Sequence, residues 1–141
     1  MRLILVICIL TGYSFTDNTI TYEKVFQKIE QIHEVIKTSQ NNKEDIIESS
    51  KILFSEIIEK NSLDPKKIVS IVFTTTHDLT EAFPAKAVRD LGYEYISVID
   101  TLAPNISSDL EGCIRILVTY QEDINVNHVY LNEAKNLRPD R

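Results

Sequence analysis

Residues 68–76, IVSIVFTTT, are dominated by side chains branched at Cβ, with one serine and one phenylalanine among them. Such side chains fit a pleated surface better than a helix. A run of this kind, almost uninterrupted, predicts a central strand. The rest of the chain must therefore pack around a sheet. Residues 93–99 alternate and read as a second strand. Residues 113–120 (CIRILVTY) read as a third, with Arg115 among apolar neighbours, and residues 128–131 as a short fourth. Residues 100–112 hold Pro104, Asn105, Ser107, Ser108 and Gly112 and read as a loop.

Helical spacing appears in three places. In residues 21–37, Tyr22, Val25, Phe26, Ile29, Ile32 and Ile36 fall on one helical face. A second helix is predicted over 43–60, with Asn42 as N-cap, Glu44 and Asp45 at the positive end and Lys60 at the negative end. Its apolar stripe is Ile46, Ile47, Leu53, Phe54, Ile57 and Ile58. Asp64-Pro65 opens a short helical turn. Residues 84–91 form a third helix between Pro84 and Gly92. No repeat is present. The class is α+β or α/β, a mixed sheet with packed helices.

The chain has 141 residues, 43% hydrophobic and 26% charged, which suits one domain. A net charge of −6 and a pI near 5.0 argue against nucleic acid or an anionic membrane surface as partner. No apolar run reaches the ~20 residues that span a bilayer. The two cysteines, Cys8 and Cys113, make no disulfide framework, no Cys/His cluster has zinc-ligand spacing, and no glycine-rich phosphate loop occurs.

Residues 1–14 open with Met1-Arg2, an apolar run from Leu3 to Leu10, then Gly12-Tyr13-Ser14. Three readings fit: a minimal signal peptide cut after Ser14, a buried strand, or a start that does not belong to the natural protein. Residues 15–40 read as an N-terminal extension and 41–141 as the domain proper.

Among five arginines (Arg2, Arg89, Arg115, Arg138 and Arg141), Arg115 is the informative one. A guanidinium inside an apolar strand is costly unless something pairs with it. Either an acidic neighbour forms a salt bridge with it, or it grips a carboxylate ligand bidentately. His77-Asp78 follows a strand and reads as a surface pair before an acid/base pair. His33 reads as a helix-flank residue, His128 as a strand residue and Cys113 as core filler.

From about residue 44 onward the sequence resembles the AroH-type monofunctional chorismate mutases. The resemblance rests on Phe83-Pro84-Ala85-Lys86-Ala87-Val88-Arg89, with Asp78-Leu79 before it. Cys113-Ile114-Arg115, His128-Val129-Tyr130-Leu131 and Leu137-Arg138-Pro139-Asp140 follow in order. It implies a trimer of α+β subunits in a pseudo α/β barrel, with sites between subunits. It also implies conversion of chorismate to prephenate for aromatic amino acid biosynthesis, in the cytoplasm and without cofactor or metal; a signal at 1–14 would instead imply secretion or organelle targeting.

By that resemblance Arg115 matches the arginine that donates to the ether oxygen and a carboxylate, and Tyr130 the tyrosine that binds a substrate carboxylate. Phe83, Lys86 and Arg89 match the segment lining a neighbour's cleft, and Leu137-Arg138 the tail that closes over it. Three positions depart from the pattern. A gapless match puts His33 where the family's first strand has a substrate-binding arginine, and a shifted match through residues 19–23 supplies no arginine either. Ala103 stands where the family has a glutamate, and Asp100 where it has a small side chain. The expectation is that Asp100 partly replaces the acid absent at Ala103. The alternative function is a catalytically degenerate trimeric homologue that serves as a binding protein.

Overall fold

The computed structural model describes residues 29–38 and 40–137. Residues 1–28 lie outside them, and with them the readings of 1–14 and of the first part of the 21–37 helix. Arg138 also lies outside. The described chain runs β1 (Glu30–Lys37), α1 (Lys43–Asn61), β2 (Ile68–Thr75), α2 (Ala85–Asp90), β3 (Ser97–Leu102), β4 (Cys113–Tyr120) and β5 (Val129–Leu131). Short 3-10 turns cover Pro65–Lys67 and Asn132–Leu137. The five strands form one mixed sheet, ordered β3-β2-β4-β1-β5. β4 is antiparallel to both β1 and β2, whereas β2–β3 and β1–β5 are parallel pairs.

The 43–60 helix is found as α1, and its caps account for its ends. Asn42 Oδ1 accepts the Asp45 N–H at 2.8 Å. At the other end Ser62 takes a left-handed conformation (φ 50°), and the Leu63 N–H reaches back to the Ile58 carbonyl at 2.9 Å. The helix lays Ile46, Leu53, Phe54 and Ile57 against Ile32 and Ile36 of β1, Ile71 and Phe73 of β2, and Ile114, Ile116 and Val118 of β4. Burying each such side chain contributes about 1.5–3 kcal/mol, so this layer is the main source of stability.

Residues 30–37 correct the helical reading. They form β1, inserted between β4 and β5, so His33 lies on a strand and not on a helix flank. Ile32 and Ile36 fit a helical spacing, but they also alternate through position 34 onto the core face. Position 34 is a glutamate, and that acid hides the strand's period. Glu34 is fully buried, neither carboxylate oxygen has a hydrogen-bond partner among the described residues, and burial raises its pKa to about 8.

β3 is also displaced from its reading, running 97–102 where the sequence suggests 93–99. Gly92 ends α2 with φ 88°. Tyr93 then turns its ring edge-on to Phe54, with centroids 5.6 Å apart, and the Ile96 N–H closes a turn on the Tyr93 carbonyl. The strand starts only after that turn. As an edge strand it exposes Ile99 and half-buries Asp100, so its apolar alternation is inverted.

Candidate active site

One face of the sheet is covered by the core described above. The other is half-exposed along β2 and β4, and it carries Arg115. The register aligns Thr101, Thr74, Arg115, Val35 and Tyr130 in one row across all five strands. Paired residues share a face, and their chain neighbours point to the other. The adjacent row on the same face holds Ile99, Val72, Leu117 and His33. The His33 and Tyr130 rings meet edge-on, with centroids 6.4 Å apart. Arg115, His33 and Tyr130 therefore converge from β4, β1 and β5.

His33 is less basic than a free histidine. Burial lowers its pKa most, with the nearby His128 and Arg115 adding to the effect. At neutral pH it presents an uncharged ring. Its backbone is tied to β5's entry, since His128 Nδ1 lies 3.4 Å from the His33 N–H.

Arg115 resolves one of the two readings left open above. Its Nη2 donates to Asp109 Oδ2 at 2.7 Å, in a pair whose side chains are 20% and 24% exposed. The Arg115 hydrogen bond is the main cause of a lowered Asp109 pKa. A groove of about 390 Å³ opens at this pair, lined by Pro104, Ile106, Ser108, Asp109 and Arg115. That volume suits a small organic anion. Nothing in the sequence singled out Asp109; its signal was an acid in the loop that leads into the arginine strand.

The other expected residues gather elsewhere. Phe83 precedes α2 and is 72% exposed. Lys86 pairs with Asp90 one turn along α2. Asp100 accepts the Ala85 N–H at 2.9 Å. Burial raises its pKa, opposed by that bond and by Arg89. Asp100 neighbours Thr101, so it faces the side opposite Arg115. Within one chain the two do not meet. Leu137 closes the last 3-10 turn.

His77 Nε2 lies 2.9 Å from the Ala103 carbonyl, and Asp78 accepts the Gly112 N–H at 2.8 Å. Both brace the 103–112 loop and do not form an acid/base pair. Cys113 is buried, and burial raises its pKa, as for an inert thiol. No group of three or more His, Cys, Asp or Glu among the described residues could hold a metal ion. No helix among them is long and apolar enough to cross a membrane.

These features define a small α+β protein with an ion-paired arginine at a groove on a sheet face. The family model for type I chorismate mutase matches residues 29–141, beginning one residue before β1. The chain is 37% identical over 105 residues to chorismate mutase AroH of Bacillus subtilis (strain 168), covering 72% of this chain and 83% of that protein. It is 32% identical over 113 residues to chorismate mutase AroH of Thermus thermophilus, covering 77% and 93%. Its fold matches a chorismate mutase from Clostridium thermocellum with a TM-score of 0.74 and 34% identity, over 76% of this chain and 98% of that one. The chain belongs to the type I chorismate mutase family.

Proposed function

We propose that the protein converts chorismate to prephenate in a homotrimer, at sites shared between subunits. The reaction is a [3,3] rearrangement: the ether C–O bond breaks while a C–C bond forms in the same molecule, with no atom gained or lost. It needs no nucleophile and no base. Catalysis consists of holding a flexible dianion in its reactive chair and stabilising negative charge on the ether oxygen.

The carrying observation is Arg115, a half-buried guanidinium beside Tyr130 and His33 at the rim of a groove. Arg115 donates to the ether oxygen and a substrate carboxylate. The Tyr130 hydroxyl takes a carboxylate, and His33 lines the site as a neutral ring. Phe83, Lys86, Arg89 and Asp100 belong to the neighbour's half. In support, they sit around α2 and the β3 edge, away from the β5 edge and on the other face from Arg115, so a single copy holds an incomplete site. Leu102 and Phe83 are left exposed there. Leu137-Arg138 supplies the closing tail.

We place the reaction in the cytoplasm, following the family; a mature protein starting after Ser14 on N-terminal sequencing would overturn that. The function itself is tested by following chorismate loss with purified protein whose mass is measured by light scattering. Turnover by a trimer is expected. An intact trimer without turnover would favour a binding protein on the same scaffold.

A further inference from the structure

Arg115 is held from the loop between β3 and β4. Asp109 Oδ2 takes the Nη2 donor, while Oδ1 accepts the Leu110 N–H at 2.9 Å and the Asp109 N–H closes a turn on the Ile106 carbonyl at 3.0 Å. The carboxylate is thus fixed to its own loop before it reaches the arginine. That loop is itself pinned: Ala103 N–H donates to Thr75, the Ala103 carbonyl meets His77, and Gly112 N–H donates to Asp78.

The contact uses one terminal nitrogen of a five-donor fork. Nη1 and Nε have no partner among the described residues. An acid that blocked the site would take the fork from both prongs, the geometry carboxylates prefer. A one-pronged grip from a braced turn instead fixes the plane of the guanidinium and leaves its other edge open to the groove.

We infer that Asp109 is a positioning residue for catalysis, orienting Arg115 by one edge so that the other meets the substrate. This rests on the reading of Arg115 given above. Asp109 takes no part in bond making. It stops a long side chain from rotating away from the ether oxygen, and its charge lowers the cost of half-burying the cation.

The test compares Asp109→Asn, Asp109→Glu and Arg115→Ala in the full chain, measuring kcat and KM for chorismate and the melting temperature. Misplacement of about 1 Å in such a site costs up to about 10²-fold. Asp109→Asn should therefore lower kcat about tenfold or more, with KM unchanged or lower because the site gains net positive charge. Asp109→Glu should recover part of kcat, and Asp109→Asn should melt somewhat lower because the half-buried cation loses its counter-charge. Nitrogen-15 NMR of the Arg115 side chain gives a readout independent of turnover: slow rotation about Cζ–Nη2 is expected in the parent and fast rotation in Asp109→Asn.

Free rotation in the parent, or an unchanged or raised kcat in Asp109→Asn, overturns the positioning role. If Arg115→Ala loses its rate while Asp109→Asn does not, this inference alone fails. If Arg115→Ala keeps full activity, or the parent has none, the reading of Arg115 fails and takes the role of Asp109 with it.

Discussion

Arg115 and Glu34 lie on neighbouring strands, face opposite sides of the sheet, and solve the problem of a charge in a sheet differently. The Arg115 charge is paired, with Asp109 on its guanidinium at the groove. Removing a preorganised donor to a developing oxyanion costs roughly 10²–10³ in rate. Arg115→Ala is expected to fall in that range in kcat, with Arg115→Lys only partly active because a point charge replaces a planar fork.

Glu34 has no hydrogen-bond partner among the described residues and is held as the neutral acid. Its folded pKa of about 8 lies above the reference 4.5. Below pH 4.5 both folded and unfolded chains carry the proton, so Glu34 costs nothing. Between 4.5 and about 8 the unfolded chain ionises first and stability falls with rising pH. The loss near neutral pH is roughly 3 kcal/mol. Glu34→Gln should leave urea stability unchanged near pH 4 and raise it increasingly toward pH 8. A gain that is the same at both ends of that range would show that the acid is not the cause.

At the scale of elements, the chain made itself legible where caps and apolar pattern agree. The ends of α1 follow from Asn42 and the residues after Lys60, and β2 and β4 follow from their β-branched composition. The pattern failed where a polar residue occupies a core-facing position. Glu34 disguised β1 as helix, and Asp100 under α2 pushed the reading of β3 four residues early. Of the proposed site, the arginine, tyrosine and α2 residues come from short motifs in the sequence. Asp109 was not, because a loop acid gains its meaning only from where the loop folds back.

The same scale shows how β5, and so Tyr130, is set in place. Asn61 at the end of α1 accepts the Asn127 N–H at 2.7 Å and donates to the Asn127 carbonyl at 3.1 Å. It clamps the segment just before the strand. Asn61→Ala strands two backbone groups and is expected to cost about 1–3 kcal/mol in urea unfolding. It should also raise KM for chorismate more than it lowers kcat, since Tyr130 would lose its fixed approach. A purely destabilising effect with unaltered KM would separate the clamp from the site.

For the whole molecule, the proposed shared site makes a prediction that single-chain reasoning does not. If Arg115 comes from one subunit and Arg89 from the next, Arg115→Ala and Arg89→Ala chains are each inactive alone. Unfolded together in equal amounts and refolded, they form mixed trimers in which about a quarter of the sites carry both arginines. Activity should return to that fraction of the parent. No recovery in verified mixed trimers would place both arginines in a site within one chain.

The position of β1 bears on how the protein comes to be folded at all. The earliest strand of the sheet lies between its two latest, and the contact from His33 to His128 joins positions 95 residues apart. Closing so large a loop precedes any reward from the pairing, which slows folding toward the millisecond-to-second range of topologies dominated by distant contacts. On a ribosome, β1 must wait with both edges unpaired until β4 and β5 emerge. During that wait an ionised Glu34 sits between Ile32 and the Val35-Ile36 pair, and a charge there discourages edge-to-edge pairing with other chains. The acid that weakens the finished fold thus guards the unfinished one against aggregation.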